Sequence, residues 1–478
     1  MARRSAVVCA LALVLVLGGV LPVAADAGTM STAFVVQNLG SDEATVTVDY
    51  LSASGTQMNQ MVQTVSVGAH YIFDQRYASG YPGADTFSGS AVVYATQPVG
   101  AVVNMVRSGG TVPSHESYSG LGVDDVGTHF MIPQVLKGVT SLSVQWNTTL
   151  VIQNTDLDNV ASVSVVFVPN PRNVSMGGTL SEPYTYTIPG GVPAGGSVVL
   201  DQTTTPSSAE IGALFFGSAR VEADRDIAVV AYADGGGRVL MAYPCFAAGT
   251  TDSIALPSIY KNISSLGDSY STAMLLVNFG DADATVEIEY LPASGAYTVS
   301  GTDMVTVPAG GVLNVDQRYD AASITSGSFM GAATVTVQNG QPIQVMVNLR
   351  GGSRYGMTYG GLASGGMVAY LPIAYKTITS QGLSWSSAIL LQSLESGQTS
   401  AQFTFYPSGA SPIVDPTSYT FSGIGQFDLR YTTAVSSRAS FIGAVKVETD
   451  KPVAVFLQTR GAGGSGDAFM GYRGLTTQ

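Results

Sequence analysis

The chain has 478 residues, a net charge of −13, and only 11% charged side chains against 45% hydrophobic ones. That balance excludes a disordered polymer and argues against nucleic acid or anionic lipid as a partner; it calls for packed cores. Of the two cysteines, Cys9 lies in an N-terminal apolar run, so Cys245 has no partner and intrachain disulfides are excluded from the remainder.

Arg3 and Arg4 precede an apolar run from Ala6 to Val20, and Pro22-Val23-Ala24-Ala25 supplies the small residues that a signal peptidase needs. The expectation is a signal peptide over residues 1–25, cleaved after Ala25, and a secreted, extracellular chain that stays at the cell surface. Cys9 has too little sequence before it to be a lipobox cysteine. The run is short for a membrane span, and no later stretch would make one after signal cleavage. The end, Gly474 to Gln478, reads as free of any sorting signal, so attachment to a cell is expected to be non-covalent.

From Asp26 onward the chain repeats itself four times. The first landmark is Gln37-Asn38, Gln153-Asn154, Val277-Asn278 and Gln392-Ser393. The second is Asp74-Gln75-Arg76-Tyr77, Asp201-Gln202-Thr203, Asp316-Gln317-Arg318-Tyr319 and Asp428-Leu429-Arg430-Tyr431. The third begins at Phe87, Phe216, Phe329 and Phe441, each followed by Gly and small residues; the fourth is a turn at Gln97-Pro98, Arg225-Asp226, Gln341-Pro342 and Lys451-Pro452. Connectors with one spacing separate the copies: Pro133 with Lys137 and Trp146, Pro257 with Lys261 and Tyr270, Pro372 with Lys376 and Trp385. The first copy reads as lacking this leader, because Asp26 to Met30 is too short to supply it. The boundaries that follow are 26–128, 129–252, 253–367 and 368–478.

Each copy reads as β. Ala44 to Tyr50 and Ala284 to Tyr290 alternate small or polar residues with β-branched ones, Ala161 to Val168 and Ala401 to Tyr406 hold the same place, and turn residues recur at short intervals. The expected fold class is all-β: four tandem immunoglobulin-like β-sandwich domains in a linear array, without the cysteine pair of antibody domains. The second copy carries an insertion at Pro169 to Pro183, expected to be a long hairpin loop. Together the Leu-Pro-x-x-x-Lys connector, the aromatic before a Gln-Asn strand, and Phe-x-Gly-Ser-Ala-Val-Val leading into Pro-Val resemble tandem repeats of uncharacterised secreted and cell-surface bacterial proteins. Phe87 to Asn104 and Leu371 to Leu391 carry the likeness best. More distantly the layout is similar to adhesion-related immunoglobulin-like domains. The resemblance implies an extracellular structural or adhesive role and assigns no site residues.

Signatures of chemistry are sparse. No zinc-protease, nucleophile-elbow or phosphate-loop motif is present, so the expectation is a non-enzyme with no catalytic, metal or cofactor residues and no cofactor. His70, His115 and His129 lack ligand-like spacing. Gly461 to Gly466 spells Gly-x-Gly-x-x-Gly, but no helix can follow it, so it reads as a hairpin loop. Acids after the first landmark (Asp42-Glu43, Asp156 with Asp158, Asp281 with Asp283, Glu395) could hold calcium, yet two carboxylates fall short of 6–8 oxygens, and solvated turns explain them as well. The connector lysines invite a Lys–Asn isopeptide reading with Asn154 and Asn278; a stem over apolar surface with a wet head is the simpler one. Asp74 and Arg76, two apart, are expected to point to the same strand face and could pair there, and Asn147, Asn173 and Asn262 head glycosylation triplets. Two partner classes follow: the chain itself, by head-to-tail strand addition, or cell-surface glycans and proteins. The alternative function is a carbohydrate-binding module array, though both Trp sit at one structural position of the repeat.

Overall fold

The computed structural model describes residues 11–14 and 29–476, apart from 84–86, 109–111, 142, 266–267, 353–354, 433–434, 436, 464–466 and 468. The expected signal peptide therefore lies outside the described residues except for the strand Leu11–Val14. The protein is all-β, with 63% of its residues in strands and, among the described residues, one α-helix, confined to Ser208–Ile211. No helix among the described residues is long and apolar enough to cross a membrane.

Alternation dictates the strands. Ala44–Ser52 buries Ala44, Val46, Val48 and Tyr50 and turns Thr45, Thr47 and Asp49 outward, the period-two pattern of a half-buried strand. In the first copy its sheet, Leu11–Val14, Gly89–Ala95, Ala44–Ser52 and Gln57–Val65, faces a second of His70–Asp74, Thr29–Asn38, Val99–Ser108 and Ser114–Ser119. Phe34, Val36, Phe73 and Val103 of the second sheet share one core with Val46, Tyr50 and Val93 of the first. The third copy repeats this arrangement. In the second and fourth, Phe215–Gly235 and Phe441–Ala462 run on past the fourth landmark and join both sheets. Pro169 to Pro183 is a hairpin loop, since Phe167 pairs with Tyr184.

The leader strands pair with the Phe strands in a single register. Ile132 is opposite Ala219, Leu256 opposite Ala333 and Leu371 opposite Val445. The first copy does not lack a leader: Leu11–Val14 takes that place, with Val14 opposite Ala91. This register also corrects the third landmark in the second copy. Phe215, not Phe216, pairs with Lys137, as Phe329 does with Lys261 and Phe441 with Lys376. The landmark glycine has a steric cause. A Cβ at Gly89, Gly217, Gly331 or Gly443 would lie against the carbonyl oxygen of Leu51, Val168, Leu291 or Tyr406 on the adjacent strand. Phe215 is fully buried, edge-on to Phe167, whereas Phe216 is half-buried. Phe215→Ala should therefore cost about 3–5 kcal/mol in denaturant unfolding, and Phe216→Ala about 1 kcal/mol. Equal losses would contradict this register.

The copies do not form the expected linear array. Four cross-strand pairs occupy one position of the repeat: Val35 with Val102, Val151 with Val230, Leu275 with Met346 and Leu390 with Phe456. Each pair lies on the outer face of its sheet and joins the core of the copy before it. Val151 and Val230 pack into the first copy, Leu275 and Met346 into the second, and Leu390 and Phe456 into the third. Val35 and Val102 pack into the fourth. One head-to-tail contact used four times brings the ends together, and a ring closes where the rotation between copies permits it. The physical reason is in the side chains. Leu150-Val151-Ile152 and Ile389-Leu390-Leu391 are apolar on both strand faces, so each sheet needs a cover outside as well as inside.

Candidate functional site

The second landmark is a turn with the same internal wiring in three copies. Asp74, Asp316 and Asp428 end their strands, and each carboxylate accepts the N–H of the residue two further on, fixing an Asx turn. The arginine at that position folds back on the same carboxylate, with Nη2 to Oδ2 distances of 2.6 Å in all three. The pairs expected from the sequence thus form, in a turn rather than on a strand face. Hydrogen bonding to the carboxylate raises the pKa of each guanidinium. The guanidinium also lies over the next tyrosine, 5.0–5.5 Å from the ring centre. Tyr77, Tyr319 and Tyr431 are nevertheless 59, 78 and 79% exposed, an unusual state for so large an apolar ring. In the second copy Thr203 stands in for Arg, keeps the Asx turn through its N–H and hydroxyl, and brings no aromatic.

One of these turns borders a cavity of about 570 Å³ between the second and third copies, where Asp316 and Arg318 form part of the wall. Deeper in, the Arg350 guanidinium lies 4.8 Å from the ring centre of Trp146 and donates Nη2 to Gln134 Oε1 at 3.0 Å. Asn348 Nδ2 donates to the same oxygen at 3.2 Å. Amides and hydroxyls (Asn170, Asn262, Asn314, Ser269, Ser271) share the rest of the wall with apolar side chains such as Leu136, Val139, Met176, Phe216 and Val312. These groups can hold a polar ligand; among the described lining residues no activated nucleophile or acid–base pair stands ready for bond cleavage.

A third cluster lies where four edge strands, one from each copy, meet: Ser114–Ser119, Val239–Pro244, Tyr355–Gly360 and Phe469–Arg473. Two carboxylates are fully buried there. Glu116 accepts the N–H of Ser117 and, across the junction, that of Thr358; Asp467 accepts those of Leu240 and Gly356. Burial pushes both carboxyls well above the ordinary range, while their backbone donors pull back. Each carboxylate ties together backbones from different copies, which makes this a structural junction.

The remaining sequence candidates resolve singly. Burial lowers the pKa of His70 to about 4, and its Nε2 meets Ser408 Oγ of the fourth copy at 2.9 Å. His115, also lowered to about 4 by burial, lies edge-on to Trp385, and His129 is exposed; the three do not come together. Among the described residues, no three of His, Cys, Asp and Glu gather to hold a metal. Asp156 spends its carboxylate on the N–H groups of Asp158 and Asn159 and on Arg225. The landmark amides wire their own turns: Asn38, Asn154 and Asn278 donate to Asp42, Asn159 and Ala282 carbonyls and accept from the residue two further on. The connector lysines meet other partners. Lys137, Lys261 and Lys376 donate Nζ to the carbonyls of Pro206, Ile324 and Val435 rather than meeting Asn154 or Asn278; Lys137 and Lys376 are buried, so the wet-head reading does not describe those two, while Lys261 is half-buried. Asn173 is fully buried and bonded to Leu180 and Phe216, inaccessible to a glycan. Gly461 leads into a hairpin, since Arg460 pairs with Phe469. Both tryptophans are buried, as a packing role requires.

One landmark escaped the sequence reading. Tyr118, Tyr243, Tyr359 and Tyr472 share one position, opposite Val103, Ala231, Val347 and Leu457. The hydroxyls of Tyr243, Tyr359 and Tyr472 donate to the carbonyls of Gln134, Ser258 and Ile373, pinning each leader strand just after its proline, where the register slips. The pattern Tyr-x-Gly-Leu at 118–121, 359–362 and 472–475 was the available signal.

No protein family and no curated protein matches the chain. Among solved structures, Thermotoga maritima 1070 aligns at 17% identity and a TM-score of 0.21, over 24% of this chain and 96% of its own. The infectious bursal disease virus VP2 subviral particle aligns at 10% identity and 0.12, over 91% of this chain and 83% of its own. The glycoside hydrolase family 32 protein of Bifidobacterium adolescentis aligns at 8% and 0.13, over 93% of this chain and 99% of its own. Likenesses this slight carry no argument about the chain's role.

Proposed function

We propose that the chain is an exported, non-catalytic surface protein of four immunoglobulin-like sandwich repeats that adheres through several copies of one weak contact. The observation that carries this reading is the Asp-x-Arg-Tyr turn, with Tyr77, Tyr319 and Tyr431 exposed at the same place in three copies. Tyr and Arg dominate binding hot spots, and here the carboxylate already holds the Arg in one rotamer, which lowers the entropy lost on contact. Linked sites of this kind gain about 10²–10⁴ in avidity without any single deep pocket. Replacing all three tyrosines by Ala should abolish retention on whole-cell or envelope preparations while each single change weakens it a few-fold. Melting should stay unchanged, because exposed side chains contribute little to stability. Full retention by the triple variant would end the proposal. Export itself is checked by the N-terminus of the secreted protein, expected at Asp26.

The cavity, whose wall mixes amides and hydroxyls with apolar side chains, favours a second reading, a carbohydrate-binding array, which a glycan array tests. Self-association by strand addition is a further part of the proposal. Cleavage after Ala25 would remove Leu11–Val14 and leave the outer edge of Gly89–Ala95 without that partner. Sedimentation of the cleaved protein should then show concentration-dependent association; a constant monomer mass excludes it.

A further inference from the structure

The cavity between the second and third copies differs from the other junctions in its charge. Where the first copy meets the second, Arg107 is closed off by Asp234 in a two-pronged pair, both N–O distances 2.8 Å. Where the third meets the fourth, Arg460 lies 5.9 Å from the Phe469 ring centre and reaches the Tyr270 hydroxyl. At the cavity, Arg350 is held from behind by Trp146 and Gln134, and no carboxylate among the described residues forms an ion pair with it. Its Nε is buried without a hydrogen-bond partner. The nearest basic neighbour on the wall, Arg318, is already matched by Asp316. Arg350 is therefore left without an ion-pair partner of its own among the described residues, in a chain whose net charge is −13. Burial, with the Arg318 charge adding and the Asp316 charge opposing, pushes the guanidinium down to about 10.

We infer that this cavity is a binding site for a carboxylate-bearing saccharide, with Arg350 taking the carboxylate and the Asn and Ser side chains of the wall taking the hydroxyls. A planar guanidinium fixed on an aromatic face offers a carboxylate two parallel N–H donors without further loss of side-chain freedom. About 570 Å³ falls within the range of small-molecule sites and leaves room for one or two sugar rings. Wall groups such as Asn262, Asn314 and Ser271 supply both donors and acceptors, which a polyhydroxylated body needs and a bare inorganic anion does not. The exposed tyrosines take no part, so failure of this inference leaves the adhesive reading standing, and the reverse.

The test is calorimetric titration of the full chain with glucuronate, glucose, acetate and inorganic phosphate. Glucuronate should bind at least tenfold more tightly than glucose, which lacks the charge, and than acetate or phosphate, which lack the hydroxyls. Arg350→Gln should remove that preference. Asn314→Asp, on an exposed wall residue, should weaken glucuronate at least tenfold by supplying a competing charge, and it keeps the test decisive if Arg350→Gln unfolds. The inference is overturned if glucuronate fails to bind at 10 mM, if glucose or phosphate binds as tightly, or if a folded variant of either kind binds glucuronate as the parent does.

Discussion

Asp467→Ala should cost about 2–6 kcal/mol of stability near pH 4.5. The carboxylate accepts the N–H groups of Leu240 and Gly356, which belong to two other copies, and it is wholly buried. Alanine leaves both donors without an acceptor, and each buried orphan costs about 1–3 kcal/mol. Against this stands the cost of burying the carboxyl, which falls only on its ionised form. Burial raises its pKa above the unfolded value, and Glu116 shifts the same way for the same reason. Stability from such a group is fully present below the unfolded pKa, near 4, and is lost as pH rises through the folded value. The gap between the parent and Asp467→Ala should therefore narrow as pH rises from about 4. Taking the difference cancels opposing groups such as Asp156 and Glu210, whose pKa values hydrogen bonds lower. Denaturant unfolding of both proteins at pH 4.5 and 8 measures it; a gap that widens with pH contradicts the assignment.

Asp234→Ala should cost about 3–5 kcal/mol and Arg107→Ala clearly less. The two form one ion pair, but their exposures differ: 6% for the Arg side chain and 22% for the Asp. Removing Asp234 strands a buried guanidinium, the costly way to break such a pair. It also frees the N–H of Gly237, which Asp234 accepts. Removing Arg107 leaves a carboxylate that water reaches and that Gly237 still serves. Replacing both should recover part of the larger loss, and a double-mutant cycle gives the coupling. Equal single losses would show that the pair is solvated alike on both sides.

What the sequence made legible was local. Period-two strands such as Ala44–Ser52, the turns after the first landmark and the Asp–Arg pairing all follow from neighbours in the chain, and all are present. The closure of the array was not legible, because Val151 or Leu390 in an apolar run reads equally as part of its own core or of a neighbour's. Only packing shows which. The Phe215-Phe216 pair hid a one-residue slip, which spacing alone cannot resolve. The position shared by Tyr118, Tyr243, Tyr359 and Tyr472 was obscured by hairpin loops of unequal length before it. Glu116 and Asp467 each occur in one copy alone, so no repeat pointed to them, and Arg350 became conspicuous only beside Trp146 of another copy.

Small-angle X-ray scattering of the monomeric protein tests the closed arrangement most directly. A compact chain of about 450 residues should have a radius of gyration between about 22 and 27 Å. Four sandwiches end to end, each about 33 Å long from ten-residue strands, would give roughly 40 Å. The first value is the one that contacts between the first and fourth copies require; the second would contradict them.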